Sequence, residues 1–223
     1  MDAAEAPERP SLTDAWPLFR LSIRSERLVL RLPTDDELVE LLGVARAGIH
    51  PPDEMPFGIA WTDRRGADFD RAFLQHHWEK RGAWQPDAWW LNLAVLLDGR
   101  PIGSQTIHAD TFAQTRTVDT GSWLGLPYQG RGLGREMRSA ILAFAFDGLG
   151  ATAADSSAFL DNHPSNAVSR GLGYEEHGRA SLAPRGEERE TQLWRMTASV
   201  WRSQDRPPVT IDGLEPCREL FGA

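Results

Sequence analysis

Hydrophobic and polar residues alternate along this chain with two different periods, and each period predicts a type of element. Segments in which every second residue is apolar predict strands, and an apolar residue at every third or fourth position predicts a helix. The predicted strands cover residues 23–32, 89–97, 101–109, 118–126, 151–159, 174–182 and 190–197. One predicted helix begins after Thr34, and the others cover 68–81, 132–149 and 165–172.

Residue types at the ends of these segments support the assignments. Thr34 and Glu37 have the spacing of a capping box, in which two side chains bond backbone N–H groups at a helix start. Asp98-Gly99 separates two strand patterns and predicts a tight hairpin. The residues expected on the buried side of helix 68–81 are Phe69, Phe73 and Trp78.

The composition is that of a folded domain. The chain has 223 residues, of which 41% are hydrophobic and 25% are charged, enough for one domain with a real core. No apolar run approaches the roughly 20 residues of a membrane helix, and residues 1–10 carry no apolar signal core. We therefore expect a cytoplasmic protein that has no membrane partner. Its predicted parts are a loose lead over residues 1–15, one domain over 16–202 and a tail over 203–223.

Charge and cysteine content narrow the classes of function. The formal net charge is −8, which argues against nucleic acid as the main partner. Cys217 is the only cysteine, so no disulfide can form within the chain, and we expect a plain thiol. The histidines lack the spacing of a metal site, so no metal is expected.

A glycine-rich hexapeptide, Gln129-Gly130-Arg131-Gly132-Leu133-Gly134, lies between a predicted strand and a predicted helix. Glycine permits tight turns, and the free N–H groups at a helix start attract anions. A P-loop would need Lys-Ser/Thr where Arg135-Glu136 stands. A dinucleotide loop would need a third glycine at Arg135 and a parallel strand pair. Another kind of phosphate-binding loop and a structural turn that caps a core helix both remain open.

A second motif accompanies this loop. Asn162 and Ser165 have Asn-x-x-Ser spacing, and Leu172-Gly173-Tyr174 follows them. Together with segments 25–31 and 118–124, the two motifs resemble the GCN5-related N-acetyltransferases (GNAT) of the RimJ/RimL-type branch, over about residues 18–202. The whole chain, including its Phe221-Gly222 ending, is similar to an actinobacterial subgroup that includes a mycobacterial succinyl-CoA-binding member.

The resemblance implies an α/β fold with a mixed, mostly antiparallel, twisted sheet that is flanked by helices and splayed between its fourth and fifth strands. It implies an acyl-CoA donor, acetyl-CoA by default and succinyl-CoA as the alternative. The implied acceptor is a primary amine on a small molecule, protein or peptide, and a homodimer is expected. A non-catalytic acyl-CoA sensor fits the same loop. The residues expected to bind coenzyme A are Leu124, Gly125, Leu126, Gln129, Gly130, Arg131, Gly132, Leu133, Gly134, Arg135, Asn162 and Arg170.

Two residues are candidates for proton transfer. Asp119 lies where relatives often carry an acidic residue on the fourth strand, and it would take the amine proton through water. An ordinary solvated acid at the start of a strand is the competing interpretation. Ser165 matches the proton donor of the RimJ/RimL-type branch, and a helix N-cap role also fits it. An α-amine, with a pKa of about 8, needs less help than a lysine amine at about 10.4.

Aromatic residues concentrate where the resemblance implies the acceptor pocket, and such pockets are commonly lined by aromatic side chains. The candidates for this pocket are Trp61, Trp89, Trp90, His108 and Ser122. Alternation along a strand sends one of Trp89 and Trp90 inward and the other outward without deciding which. His108 is a candidate base, although a packed strand histidine is the simpler interpretation.

Overall fold

One sheet organises the fold. The computed structural model describes residues 10–223, and this part of the chain forms nine strands. They are β1 (Ser22–Arg24), β2 (Leu28–Arg31), β3 (Ala88–Leu97), β4 (Arg100–Asp110), β5 (Thr117–Leu124), β6 (Ala153–Phe159), β7 (Glu175–Leu182), β8 (Arg189–Thr197) and β9 (Thr210–Asp212). Their order is β7-β8-β6-β5-β4-β3-β2-β1-β9. Only β5 and β6 are a parallel pair, which confirms the predicted mixed, mostly antiparallel sheet.

Helices cover both faces of the sheet. Those of residues 10–223 are α1 (Leu12–Ala15), α2 (Asp35–Ala47), α3 (Gly66–Gly82), α4 (Phe112–Thr115), α5 (Leu133–Ala143), α6 (His163–Leu172) and α7 (Ala198–Arg202). Along β5, Val118 and Leu124 pack into the main core with α5, whereas Trp123 packs on the cluster formed by α2 and α3. Because neighbouring strand residues face opposite sides, these two helix layers lie on opposite faces. None of the helices in the described range is long and apolar enough to cross a membrane.

Several local predictions are confirmed. Thr34 and Glu37 form the predicted capping box at the start of α2. Asp98 and Gly99 both have positive φ, at 51° and 78°, in the tight turn between β3 and β4. Positive φ at both central residues of a hairpin turn matches the twist of the strands it joins.

The predicted strand 23–32 is wrong as one element. The chain turns between β1 and β2, which pair antiparallel with Arg24 opposite Val29. Residues 24–27 are all polar, and the buried apolar positions change phase from Ile23 to Leu28 and Leu30, so the sequence did carry a sign of the turn. The turn is held from outside, because the Glu136 carboxylate accepts bonds from Ser25 Oγ and the Arg27 N–H, both at 2.8 Å.

Three other element predictions need correction. Trp78 is 47% exposed and its indole donates to Asp35, while His77 takes the buried position on α3. The predicted strand 118–126 ends at Leu124, and a 3-10 turn, Leu126–Tyr128, follows. The predicted helix 132–149 is regular only as far as Ala143, after which Phe144–Gly148 forms a wider π-type turn.

The C-terminal segment 203–223 packs on the body of the protein. β9 pairs with β1, and Phe221 is fully buried beside Trp84 and Trp89. Cys217 is also buried, which raises the pKa of its thiol to about 11. Of the predicted N-terminal lead, residues 1–9 lie outside the described range, and the short helix α1 follows them.

Candidate active site

A cleft opens between β5 and β6. The two strands pair at three positions, from Thr117 opposite Ala153 to Asp119 opposite Asp155. Beyond that point, residues 120–124 and 156–159 diverge while each strand remains paired with its outer neighbour. The predicted splay between the fourth and fifth strands of the resemblance is therefore present, and rigid elements hold both of its walls.

The glycine-rich loop lies at the open end of β5. Gly130 and Gly132 have φ of 70° and 79°, a left-handed conformation that glycine adopts without strain. The Gln129 side chain fixes the entry to the loop, because its amide donates to the carbonyls of Ile49 and Leu124 at 2.6 and 2.8 Å. Gln129 therefore acts on loop geometry, whereas the resemblance implied a coenzyme A contact.

The backbone of this loop presents a run of free donors. Within residues 10–223, no acceptor bonds the N–H groups of residues 130–135. These groups surround the start of α5, where the helix dipole adds partial positive charge. The donor set fits a pyrophosphate, since such N–H groups bind phosphate oxygens without a side-chain charge.

Charged side chains around the loop have separate partners. Glu136, in the first turn of α5, pairs with Arg27 at 2.6 Å, which offsets a negative charge beside the anion site. Arg135 donates to the Gly171 carbonyl at 2.5 Å and so joins the loop to the end of α6. Arg131 is exposed. Arg170 lies over the Trp194 ring, with its guanidinium carbon 5.2 Å from the ring centroid. No local sequence pattern predicts this pairing of Arg27 with Glu136.

Residues 124–126 have fewer free backbone groups for a ligand than predicted. The N–H groups of Gly125 and Leu126 donate to the carbonyls of Ile102 and Gly48, at 2.9 and 3.0 Å. Leu124 O already accepts from Gln129. These bonds make 124–126 the support of the loop, and the strand edge that faces the cleft lies upstream, over residues 120–124.

The second motif caps α6. Asn162 is the N-cap, and its Oδ1 accepts the Ser165 N–H at 3.2 Å. The expectation that Ser165 caps this helix is therefore wrong, because its position is the third residue of the helix. Ser165 is half-buried, and its hydroxyl forms no hydrogen bond with residues 10–223.

The α2–α3 face of the cleft carries His108 and Asp119, which are opposite each other on β4 and β5. Burial lowers the pKa of His108, and the nearby Asp119 charge opposes this effect. Desolvation by surrounding atoms raises the pKa of Asp119, although its side chain is exposed, and His108 opposes that rise. The pair therefore combines a histidine that stays neutral more readily than usual with a carboxylate that holds a proton more readily than usual. Asp155, the next residue across the sheet, is paired with Arg195 at 2.6 Å.

Trp90 lies beside this pair. Its ring stacks on His108 with the centroids 3.9 Å apart and the planes 2° from parallel. Trp89 points the other way, where it is buried and donates to the Phe221 carbonyl at 3.1 Å. The predicted role of Trp89 in the acceptor pocket is therefore wrong, because the C-terminal segment covers it.

Trp61 belongs to an aromatic cluster on the same face. It is half-buried, with ring centroids 5.2 Å from Phe57, 5.9 Å from Phe69 and 6.1 Å from Trp123. Since Trp123 and Asp119 share one side of β5, the cluster and the His108–Asp119 pair lie on the same face of the cleft. The structure thus places Trp61, Trp90, His108 and Asp119 on one face of the cleft.

A buried polar group lies under the cleft on the opposite face. Arg138, on α5, is 5% exposed, and its guanidinium donates to Ser156 Oγ at 2.9 Å and Ser122 Oγ at 3.3 Å. Ser122 therefore faces α5, which contradicts its predicted place in the acceptor pocket. Tyr174 is buried nearby, and burial raises the pKa of its hydroxyl, an effect that Arg138 opposes. Sequence reasoning missed Arg138. The available signal was helical spacing. Leu142 and Ala145 follow Arg138 by one and two turns and are buried, so Arg138 lies on the buried face of the helix.

Comparison with known proteins identifies the family. Residues 27–175 match the model of the acetyltransferase (GNAT) domain family. The chain belongs to the GNAT family. Members of this family are N-acetyltransferases that use an acyl-CoA donor, and this chain is therefore a GNAT N-acetyltransferase.

Solved GNAT structures have the same fold. RimJ of Mycobacterium smegmatis, in complex with CoA-disulfide, is similar with a TM-score of 0.64 and 20% identity, over 86% of this chain and 91% of that one. A GNAT acetyltransferase of Bacillus anthracis has a TM-score of 0.63 and 16% identity, over 80% and 99%. RimL, a ribosomal L7/L12 alpha-N-protein acetyltransferase in complex with coenzyme A, has a TM-score of 0.59 and 15% identity, over 78% and 95%.

Proposed function

We propose that this enzyme transfers an acyl group from acyl-CoA to a primary amine by direct attack within a ternary complex. The observation that carries the proposal is the cleft between β5 and β6, with free N–H groups at one end and the His108–Asp119 pair on one face. In the reaction, the amine nitrogen bonds to the acyl carbon as the carbon–sulfur bond breaks. The amine gives up a proton, and the thiolate of coenzyme A takes one.

The donor half of the site is supported by the loop. The N–H groups of residues 130–135 would hold the pyrophosphate, and Arg131 would add charge from the surface. The edge of β5 over residues 120–124 is where the pantetheine arm would run. Asn162 and Arg170 already have partners within the protein, so their proposed contribution is to fix α6 beside the cleft.

The acceptor half is supported by the His108–Asp119 pair. A histidine whose pKa is lowered is neutral at physiological pH and accepts a proton from an attacking amine. We assign this step to the pair, with Asp119 orienting His108 or relaying the proton through water. The Ser165 hydroxyl is the candidate proton donor to the thiolate, because it is half-buried and forms no hydrogen bond with residues 10–223.

The acceptor class follows from chemistry and from one relative. An α-amine, with a pKa of about 8, is neutral far more often at pH 7 than a lysine amine. RimL, which has the same fold, is named as an alpha-N-protein acetyltransferase of ribosomal L7/L12. We therefore propose a protein N-terminus as the first acceptor class to test, with acetyl-CoA as the default donor and succinyl-CoA as the alternative. From the subgroup resemblance we also propose a cytoplasmic homodimer.

The test measures release of free coenzyme A thiol from acetyl-CoA with N-terminal peptides, the same peptides with a blocked α-amine, and free polyamines. We expect release that depends on the peptide α-amine, with the acetyl group found on that nitrogen by mass spectrometry. Release with blocked peptides, or with polyamines alone, would contradict a protein N-terminus as the acceptor. Tight acetyl-CoA binding without turnover on any amine would favour a non-catalytic sensor.

A further inference from the structure

The buried guanidinium of Arg138 lacks a negative partner within the described protein. Its Nη groups donate to two neutral hydroxyls, and it forms no ion pair with any carboxylate of residues 10–223. Its Nε–H is buried and has no acceptor at all in that range. A buried charge is usually paired, because removing it from water costs a free energy comparable to a whole domain's net stability. We therefore expect a buried guanidinium with this desolvation cost to have a function.

The position of Arg138 is as informative as its burial. Ser122 is on β5 and Ser156 is on β6, and both lie beyond the last point at which these strands pair. The guanidinium therefore spans the two walls of the cleft. The contact with Ser156 is fully buried, whereas that with Ser122 is only partly buried, so the Ser122 end is the more accessible one.

A second polar group lies at the same place. The Tyr174 hydroxyl is buried beside Thr120 and Arg138, and neither forms a well-aligned hydrogen bond with it. Its pKa is raised, so it stays protonated and can donate at neutral pH. Unpartnered buried donors on Arg138 and Tyr174 therefore lie under the cleft, within one polar cluster.

We propose that Arg138 binds a carboxylate at the far end of the acyl group, so that the enzyme prefers the thioester of a dicarboxylic acid over an uncharged acyl group. This inference rests on the proposed function, since it assigns a residue of the same cleft to the choice of donor, and it favours the succinyl-CoA alternative over the acetyl-CoA default. A carboxylate is planar and accepts two parallel N–H bonds from a guanidinium. The two serine hydroxyls hold the guanidinium plane in place before the donor arrives.

The other anions of the donor have a different site. Its pyrophosphate fits the free N–H groups of residues 130–135 at the start of α5, whereas Arg138 lies further along that helix and beneath the sheet. A carboxylate-bearing acyl group is thus the part of an acyl-CoA donor that would reach the cleft floor. Arg138 is then a specificity-determining residue.

The experiment compares affinities by calorimetry for free coenzyme A, butyryl-CoA and succinyl-CoA. The two thioesters have acyl chains of equal carbon number, and only the second carries a carboxylate. We expect wild type to bind succinyl-CoA about tenfold to a hundredfold more tightly than butyryl-CoA, as for a charge-assisted hydrogen-bonded pair. In Arg138→Met this ratio should fall towards one, and Arg138→Lys should be intermediate. Arg135→Met, in the loop, should leave the ratio unchanged.

Each outcome decides a different point. Equal affinity of wild type for both thioesters, or an undiminished ratio in a folded Arg138→Met, would overturn the role of Arg138 while coenzyme A binding still supports the proposed function. Failure of wild type to bind any of the three compounds would overturn the proposed function itself. If Arg138→Met does not fold, the wild-type ratio alone still tests the inference.

Discussion

Phe221 is the residue through which the C-terminal segment is built into the core, and its removal should be costly. The side chain is 0% exposed, and its ring centroid lies 4.9 Å from Trp89, 5.3 Å from Trp84 and 5.6 Å from Phe144. The adjoining carbonyls accept both indole N–H groups, at 3.1 Å from Trp89 and at 2.8 Å from Trp84. The segment is therefore fixed by both packing and hydrogen bonds.

We expect Phe221→Ala to lower the free energy of unfolding by about 3–5 kcal/mol, the usual range for a buried Phe truncated to Ala. That is a large share of the roughly 5–15 kcal/mol that stabilises a typical domain. Urea unfolding followed by tryptophan fluorescence measures the change, and the neighbouring Trp84 and Trp89 make the signal sensitive to this region.

Ile59→Ala is the matched control, because Ile59 is 77% exposed. It should change the free energy of unfolding by no more than about 0.5 kcal/mol. A loss below about 1 kcal/mol for Phe221→Ala would contradict the packing of segment 203–223 against the core.

Two further predictions concern the site. Gln129→Ala removes the bonds to the Ile49 and Leu124 carbonyls, so calorimetry should find acetyl-CoA affinity weakened about tenfold as the loop loosens. If His108 accepts the proton, the rate should fall as the pH drops through its lowered pKa. Asp119→Asn removes the charge that opposes this lowering, so the acid limb of the pH–rate profile should move to lower pH.

Controls are available for both predictions. Gln75→Ala removes an exposed glutamine of α3 and should leave the affinity unchanged. Asp110→Asn should move the acid limb in the same direction as Asp119→Asn but by less. The reason is that the Asp110 charge raises the pKa of His108 less than the Asp119 charge does. Lys80, Asp155 and Arg195 also act on the pair and stay constant in both variants. An acid limb that stays in place in Asp119→Asn would exclude His108 as the proton acceptor.

Local patterns were enough to predict features whose geometry depends on residues close together in sequence. The loop 129–134, with its free N–H groups, and the α6 start at Asn162 each occupy one short segment. The capping box at Thr34 and the hairpin at Asp98-Gly99 succeeded for the same reason, since their geometry depends on residues close together.

Predictions failed where distant segments decide the outcome. Whether Trp89 or Trp90 faces a pocket depends on Phe221, which covers one face of β3 from the far end of the chain. The turn between β1 and β2 depends on Glu136, more than a hundred residues away. The hydrogen-bond partners of Arg138 on α5 are Ser122 and Ser156, which lie on two different strands. No spacing rule expresses these long-range contacts.

The loop at the start of α5 is proposed to bind the pyrophosphate of an acyl-CoA. Gly134 offers a sharp test, because its φ is ordinary and an added Cβ would meet only Leu124 Cδ1 at 4.0 Å. Gly134→Asp places a negative charge in the first turn, where it favours the helix dipole by about 0.3–1 kcal/mol. It also lies beside the proposed phosphate. Gly134→Asn has nearly the same shape without the charge.

The measurement is acetyl-CoA binding by calorimetry to wild type, Gly134→Asn and Gly134→Asp, with a melting curve for each. We predict that wild type binds, that all three proteins are folded, and that Gly134→Asp binds at least about tenfold more weakly than Gly134→Asn because of like-charge repulsion. Equal affinities for the two variants, or no binding by wild type, would contradict a phosphate site at this loop.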